Sequence, residues 1–212
     1  LRVRIDRPPP GEELNRGVET EPRVAASVIV LRDAASDGEE PGVEVLLVKR
    51  NPEASFMGAA WVFPGGSVHE EDGGPEGAAL RELDEEASVA LESTGDLVPF
   101  SRWITPAEVK VRFDTWFFVA VAPADAEPRC DGHECVDVRW MSPAAALGAG
   151  ERGEMLLVFP TIKHLEQLAE LRSVEHALAT AHDREVTPIL PRVLTRDGAA
   201  HVVLPGEPGY ED

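Results

Sequence analysis

A chain of 212 residues, 43% hydrophobic and 28% charged, has apolar material for one sizeable domain with appendages. Its 20 basic and 39 acidic residues leave a net charge of −19, a surface that repels nucleic-acid backbones and anionic lipid. No apolar run approaches the ~18–20 residues of a membrane span, and residues 1–10 lack the apolar stretch of a secretory signal, so a cytoplasmic protein is expected.

Residues 1–22 are rich in Pro, Glu and Arg without periodicity and read as an N-terminal extension. Residues 26–31 are β-rich, Arg32 to Gly42 reads as a polar turn, and 43–49 as the partner strand of a hairpin. Residues 61–66, Trp-Val-Phe-Pro-Gly-Gly, predict a strand ending in a glycine-rich corner. Gly73-Gly74-Pro75 closes one element and opens a helix, with Pro75 suited to its first position. Ala79, Leu80, Leu83, Ala87 and Ala90 repeat at helical spacing and extend that helix to about Leu91. Strands are predicted near 96–103, 112–121 and 135–140, a short helix from Ser142-Pro143, and a strand at 155–159. Thr161 and Ser173 are the expected N-caps of helices ending near Leu171 and His182. Residues 186–212 carry two β-like runs around the turn Arg196-Asp197-Gly198. The pattern predicts an α/β fold, a mixed β-sheet sandwiched between α-helices, in a domain over 23–185 with the tail packed on or near it.

Cys130 and Cys135 flank His133. Zinc needs a fourth ligand and usually a second paired spacing, neither of which is evident, so two half-buried thiols beside a turn is the reading.

The chemistry gathers on the helix opened by Pro75. At ~100° per residue, Glu82, Glu85 and Glu86 fall within an arc of about 100°, beside the apolar face, while Asp84 points elsewhere. Carboxylates so crowded repel one another. A hard divalent cation removes that repulsion, and Mg²⁺ prefers carboxylate together with phosphate oxygen. Arg81, on the neighbouring edge, is placed to hold a carboxylate by paired hydrogen bonds. A solvated acidic face is the competing reading, and the helix alone does not separate the two.

The residues upstream do. The segment from Gly66 to Val89 resembles the Nudix signature G-x5-E-x7-R-E-U-x-E-E-x-G-U, where U is a bulky aliphatic residue. Gly66, Arg81, Glu82, Leu83, Glu85, Glu86 and Val89 match, in the strand–loop–helix context the signature requires. Asp72, six residues after Gly66, replaces the upstream Glu, with Glu71 beside it; one extra residue separates it from Arg81. Ser88 stands in place of Gly, which makes a left-handed helix exit harder. The resemblance implies the Nudix fold, and Mg²⁺ or Mn²⁺ held by Glu82, Glu86 and Glu85 with a backbone carbonyl at Gly65-Gly66. The metal would polarise a diphosphate oxygen and acidify the attacking water. One carboxylate, in this helix or on a later loop, would be the general base, with Glu134 the candidate outside the helix and a solvated turn residue the alternative.

Arg102 to Pro106, Arg112 to Phe118, and Pro160-Thr161 are similar to the Nudix branch containing the peroxisomal coenzyme A diphosphatases and their bacterial relatives. Leu46, Leu47, Arg50 and Phe63 to Gly66 fit that branch's coenzyme A motif, L-L-T-x-R-S-x3-R-x3-G-x3-F-P-G-G; Asn51, Ser55 and Ala59 depart from it. Arg50, Gly65, Asp72 and Arg112 are therefore the candidate substrate-binding residues. Asp114 joins Arg112 as a positioning candidate, and Phe56 or Trp103 is available to stack on a base. His69, in the signature loop, is expected to face solvent. Trp61, Trp103 and Trp116 read first as core or interface residues. The excess of Arg over Lys, with abundant Ala and Gly, points to a bacterium with a GC-rich genome.

The expected function is metal-dependent hydrolysis of a diphosphate linkage in a nucleoside diphosphate derivative, coenzyme A or acyl-coenzyme A first. The alternatives are an NADH or ADP-ribose pyrophosphatase, or a non-catalytic nucleotide-binding module of the same fold. The partner is a small molecule, with neither nucleic acid nor membrane expected, and the family's habit of forming homodimers extends to this chain as an expectation.

Overall fold

Both faces of β1 (Arg23–Asp33) are covered, which is why its middle is almost continuously apolar rather than alternating. Side chains alternate across a strand, so Ile29 and Leu31 enter one core while Ala26, Val28 and Val30 enter the other. The computed structural model describes residues 14–15, 19–34, 42–196 and 199–211. Most of the N-terminal extension, the centre of the turn between Arg32 and Gly42, and Asp197-Gly198 lie outside the described residues.

Chain order continues with β2 (Val43–Arg50), β3 (Ala60–Val62), β4 (Gly65–Ser67), α1 (Pro75–Ala87), β5 (Val98–Ile104), β6 (Phe113–Val121) and β7 (Cys135–Met141). There follow α2 (Pro143–Glu151), β8 (Leu156–Leu157), α3 (Phe159–Leu168), α4 (Val174–His182), β9 (Pro188–Ile189), β10 (Arg192–Arg196) and β11 (Ala199–Val203). The large sheet runs β8-β3-β2-β1-β6-β5-β9, with β4 also pairing β1 and β7 also pairing β2. It is mixed: β1 lies antiparallel to β2 and β4 but parallel to β6. α1 covers one face through Ala78, Ala79, Leu83 and Ala87. α2, α3 and α4 cover the other through Ala146, Ala149, Leu165, Leu168, Val174 and Ala177. The predicted helix–sheet–helix sandwich is the fold observed. In the tail, β9 joins the sheet beside β5, and β10 and β11 form a separate hairpin.

Several local expectations change. α1 ends at Ala87, not near Leu91. Ser88 adopts the left-handed conformation after all (φ 52°, ψ 38°), and the amides of Ser88 and Val89 return to Asp84 O and Leu83 O at 2.9 and 3.5 Å. These bonds satisfy the last carbonyls as a glycine exit would. The strand expected at 155–159 shrinks to two residues because Phe159 already begins α3, with Val158 at the N-cap. Pro160, whose fixed φ suits the first turn of a helix, pulls the start forward, so Thr161 is a buried residue inside the helix rather than its cap. Ser173 does cap α4, its Oγ accepting the His176 amide at 3.1 Å.

His164 lies fully buried on α3 among Phe63, Phe100, Trp103 and Phe117. Its Nε2 shares a 2.6 Å hydrogen bond with Ser101 Oγ, and burial holds its pKa down to about 3, so it is a neutral core residue.

Candidate active site

The site begins with close packing that only glycine allows. β4 runs against β1 with Gly65 opposite Ser27 and Gly66 opposite Ala26. A Cβ on Gly65 would strike the Ala26 carbonyl and Ser27, and one on Gly66 would strike the Glu82 carboxylate. The missing side chains bring the β4 backbone onto the carboxylates of α1. Glu86 accepts a hydrogen bond from Gly65 N at 2.9 Å. We expect Gly66→Ala to displace Glu82 and lower turnover by about 100-fold, at a stability cost of roughly 1–3 kcal/mol. Initial rates alongside thermal melts check this; an unchanged rate would show that the Gly66–Glu82 contact is not needed.

The three glutamates are not equivalent. Glu82 and Glu86 are buried, on the sheet-facing side of α1 rather than merely beside it, while the Glu85 side chain is 59% exposed. Burial pushes the carboxyl of Glu86 up to about 7, against the opposing influence of the Gly65 amide and Arg50. Glu82 is also raised, first by burial, with the charges of Glu85 and Glu134 adding to it. Glu86 Oε1 is fully buried and has no hydrogen-bond partner; Arg50 Nη1 stands 3.7 Å away. A buried carboxylate oxygen with no hydrogen-bond donor, beside a second buried carboxylate, is a donor set that suits a hard cation. Among the described residues no three His, Cys, Asp or Glu side chains already converge as a cation cage. The positive charge between Glu82 and Glu85 comes from Arg81, whose Nη1 lies 2.8 and 2.9 Å from their oxygens.

Arg81 is the hub. Its Nε and Nη2 form a fork with Asp72 at 2.8 and 2.9 Å, and Nη2 also donates to Ser67 O at 3.0 Å. The hydrogen bonds from Arg81 hold the Asp72 carboxyl down to about 2, and Asp72 reciprocally raises the guanidinium. Asp72 therefore meets Arg81, not the pocket. Asp72 closes a 3₁₀ turn at Glu70–Asp72, and left-handed Gly73 (φ 71°) leads from it towards α1.

A pocket of about 460 Å³ opens in front of these groups. Its polar wall contains Arg50, Gly65, Gly66, Arg81, Glu82 and Glu85, with Glu134 reaching it from the loop before β7. Glu86 sits behind Gly65. Cys135, also buried, lies next to Glu86, and burial raises its thiol far out of the reactive range. Glu134 follows Asp131, whose carboxylate accepts the amides of His133, Glu134 and Cys135 at 3.1, 2.9 and 2.8 Å. Burial opposes ionisation of Asp131, but those three amides outweigh it and hold the pKa low.

The apolar part of the lining is made by Phe56, Met57, Phe113, Phe117, Val158 and Pro160. Phe56 meets Phe113 edge-on with ring centroids 5.2 Å apart. Phe56 was expected as a stacking candidate; Phe113, Met57 and Thr105 were not, because an aromatic in a strand reads first as core. His69 is exposed at the pocket rim. Trp103 is buried away from the pocket. Arg112 also stays outside: it is buried, donating to Thr105 O, Glu19 and Thr20 O, and so ties the end of the extension to the loop before β6. Asp114 is engaged by Arg102 at 2.6 and 2.8 Å.

A family model described as the NUDIX domain matches residues 21–159. The Caenorhabditis elegans protein named "Putative nudix hydrolase 7" is 26% identical over 210 residues, covering 79% of this chain and 70% of its own length. The crystal structure of a NUDIX hydrolase from Alicyclobacillus acidocaldarius superposes with a TM-score of 0.68 at 26% identity, over 76% of this chain and 97% of that one. The NUDIX domain of Shewanella oneidensis NrtR, complexed with ADP ribose, superposes at 0.53 with 20% identity, over 70% and 86% of the two chains, a likeness of fold.

Proposed function

The chain belongs to the Nudix family, a hydrolase acting on pyrophosphate bonds, and from that premise we propose that it cleaves the diphosphate of a nucleoside diphosphate derivative at the wall built by α1 and β4. One observation carries this reading: the buried Glu86 carboxylate, anchored by Gly65 N on one side, has on the other an oxygen without a hydrogen-bond partner, 3.7 Å from Arg50 Nη1 and close to Glu82. Nudix hydrolases generally use divalent metals. Here Glu82, Glu85, Glu86 and the Gly66 carbonyl would hold Mg²⁺ or Mn²⁺, which supplies Lewis-acid polarisation of the diphosphate and a more acidic water.

The protein's own part is to orient and to move a proton. Arg81 keeps Glu82 and Glu85 facing the pocket while Asp72 and Ser67 O keep Arg81 in place. Arg50, at the pocket and hydrogen-bonded through Nε to Phe56 O at 3.3 Å, offers its guanidinium to a phosphoryl oxygen. Glu134, which reaches the pocket from the loop before β7 and lies near enough to Glu82 for its charge to raise that carboxyl, takes the proton of the attacking water. The apolar wall receives the remainder of the substrate.

Coenzyme A and acyl-coenzyme A are the first substrates we assign, on the fit of Leu46, Leu47, Arg50 and Phe63 to Gly66. ADP-ribose and NADH form the second reading, favoured by the fold shared with a domain complexed with ADP ribose. We take 23–185 as the catalytic domain, and 1–22 and 186–212 as its appendages, available to a homodimer. Incubation with Mg²⁺ or Mn²⁺ and coenzyme A, NADH or ADP-ribose, read by product mass, tests the proposal. Phosphopantetheine and adenosine 3′,5′-bisphosphate from coenzyme A support the first reading; AMP from ADP-ribose or NADH alone supports the second. Binding without cleavage of any of them would leave a nucleotide-binding module.

A further inference from the structure

Glu134 reaches the pocket from a loop whose residues 131–134 are all exposed. Apolar packing therefore does little to hold it there. Hydrogen bonds do, and they converge on the backbone of Glu134 itself. Its N–H donates to Asp131 Oδ2 at 2.9 Å, and its C=O accepts the backbone N–H of Asn51 at 2.8 Å. The neighbours on either side are fixed by the same two residues. Asp131 also takes the amides of His133 and Cys135, and Asn51 Nδ2 donates to His133 O at 2.7 Å. The other end of the Asn51 side chain accepts Glu53 N at 2.9 Å, so both its polar atoms are used. Asn51 directly follows Arg50 at the end of β2, where Arg50 is in register with Cys135. The pocket's arginine and its outlying glutamate thus hang from one junction of β2 and β7.

We infer that Asn51 and Asp131 are positioning residues for the hydrolysis, fixing the backbone around Glu134 so that its carboxylate stays at the pocket near Glu82. This rests on the reading of Glu134 as the proton acceptor. A loop clamp that merely ended β7 would need no second anchor on the chain segment that carries Arg50. Here the Asp131 side chain holds the Glu134 N–H, while the Asn51 side chain holds the adjoining His133 carbonyl and its main chain the Glu134 carbonyl.

The test compares Glu134→Gln, Asp131→Ala, Asn51→Ala and the two double variants with Glu134→Gln. kcat and KM are measured on whichever of coenzyme A, NADH or ADP-ribose is turned over fastest, and amide hydrogen exchange at Glu134 and Cys135 is followed without substrate. Asp131→Ala should lower kcat by about 10- to 100-fold with KM nearly unchanged, and Asn51→Ala, which removes the Nδ2 bond to His133 O but keeps its main-chain N–H on Glu134 O, by a smaller factor of about 3- to 10-fold. Exchange at Glu134 or Cys135 should quicken. Asp131→Asn, which keeps an acceptor, should recover part of the loss. In the Glu134→Gln background neither alanine change should cost more than about twofold further, because the group they position is gone. Full kcat in Asp131→Ala and Asn51→Ala, with Glu134→Gln impaired, would overturn the inference alone. Equal losses with and without Glu134 would overturn it too. Full kcat in Glu134→Gln would remove the reading of Glu134 and the inference with it. Asn51→Ala keeps the test open if Asp131→Ala does not fold.

Discussion

Replacing Glu86 by Gln is expected to lower kcat by about 10³-fold while leaving the metal-free protein at least as stable as the original. The two effects have one cause. Glu86 is 2% exposed, and its carboxylate has the Gly65 amide on one side but no hydrogen-bond partner for Oε1 on the other. Burying that charge costs stability, and the raised pKa, from 4.5 to about 7, expresses that cost. With the folded pKa above the unfolded one, the folded protein binds the extra proton between these values. Stability from this group is therefore full below about pH 4.5 and is lost as pH rises through about 7, by roughly 3 kcal/mol in all. Denaturant melts in chelator at pH 5 and pH 8 should show this slope in the original protein and its loss in Glu86→Gln. Gln keeps the shape and an acceptor for Gly65 N, so a variant that melts several degrees lower yet keeps its turnover would contradict the account.

Removing the Arg81 side chain should have the second largest effect, and on both properties at once. Arg81→Ala leaves Asp72, Glu82 and Glu85 without their shared cation and frees the Ser67 carbonyl. Hydrogen bonds to charged groups are worth about 1.5–3 kcal/mol each, but the Arg81 side chain is 23% exposed and Glu85 is largely so, which discounts the sum. A loss of about 3 kcal/mol in all is expected, which lowers the melting temperature by several degrees. Turnover should fall by about 100-fold or more as Glu82 and Glu85 lose their orientation. Arg81→Lys restores charge but not the fork to Asp72, so it should recover part of the stability and little of the turnover. Rates and melts on the pair check this; full activity in Arg81→Lys would mean that charge alone suffices.

Much of this site can be read from spacing, because the features that make it are local. Pro75 at the helix start, the apolar repeat through Leu83 and Ala87, and carboxylates three and four residues apart are facts of one helix, and the structure has them. Gly65-Gly66 is legible as a glycine-rich corner after a strand, but not as a strand of its own lying on β1 with no room for side chains. The depth of Glu82 and Glu86 is not legible, since it depends on where β4 lies against α1, a contact across sixteen or more residues of chain. The apolar wall is hidden more deeply still. Phe56 and Phe113 are far apart in sequence and meet only because the loop after β2 folds over the start of β6. Arg112 misled for the converse reason: an arginine beside a predicted strand looks available for a phosphate, but Glu19 and Thr20 from the extension already occupy it. At Ser88 tertiary closure of the helix end overrides the preference for glycine.

Hydrolysis in ¹⁸O-labelled water with Mg²⁺, followed by mass spectrometry of the products from coenzyme A, NADH and ADP-ribose, tests the central claim most directly. The account predicts two phosphate-bearing products from at least one of these, a single ¹⁸O on the phosphoryl group that water attacked, and no products in the presence of chelator. Binding of these molecules with no cleavage, or label appearing on a sugar carbon rather than on phosphorus, would contradict it.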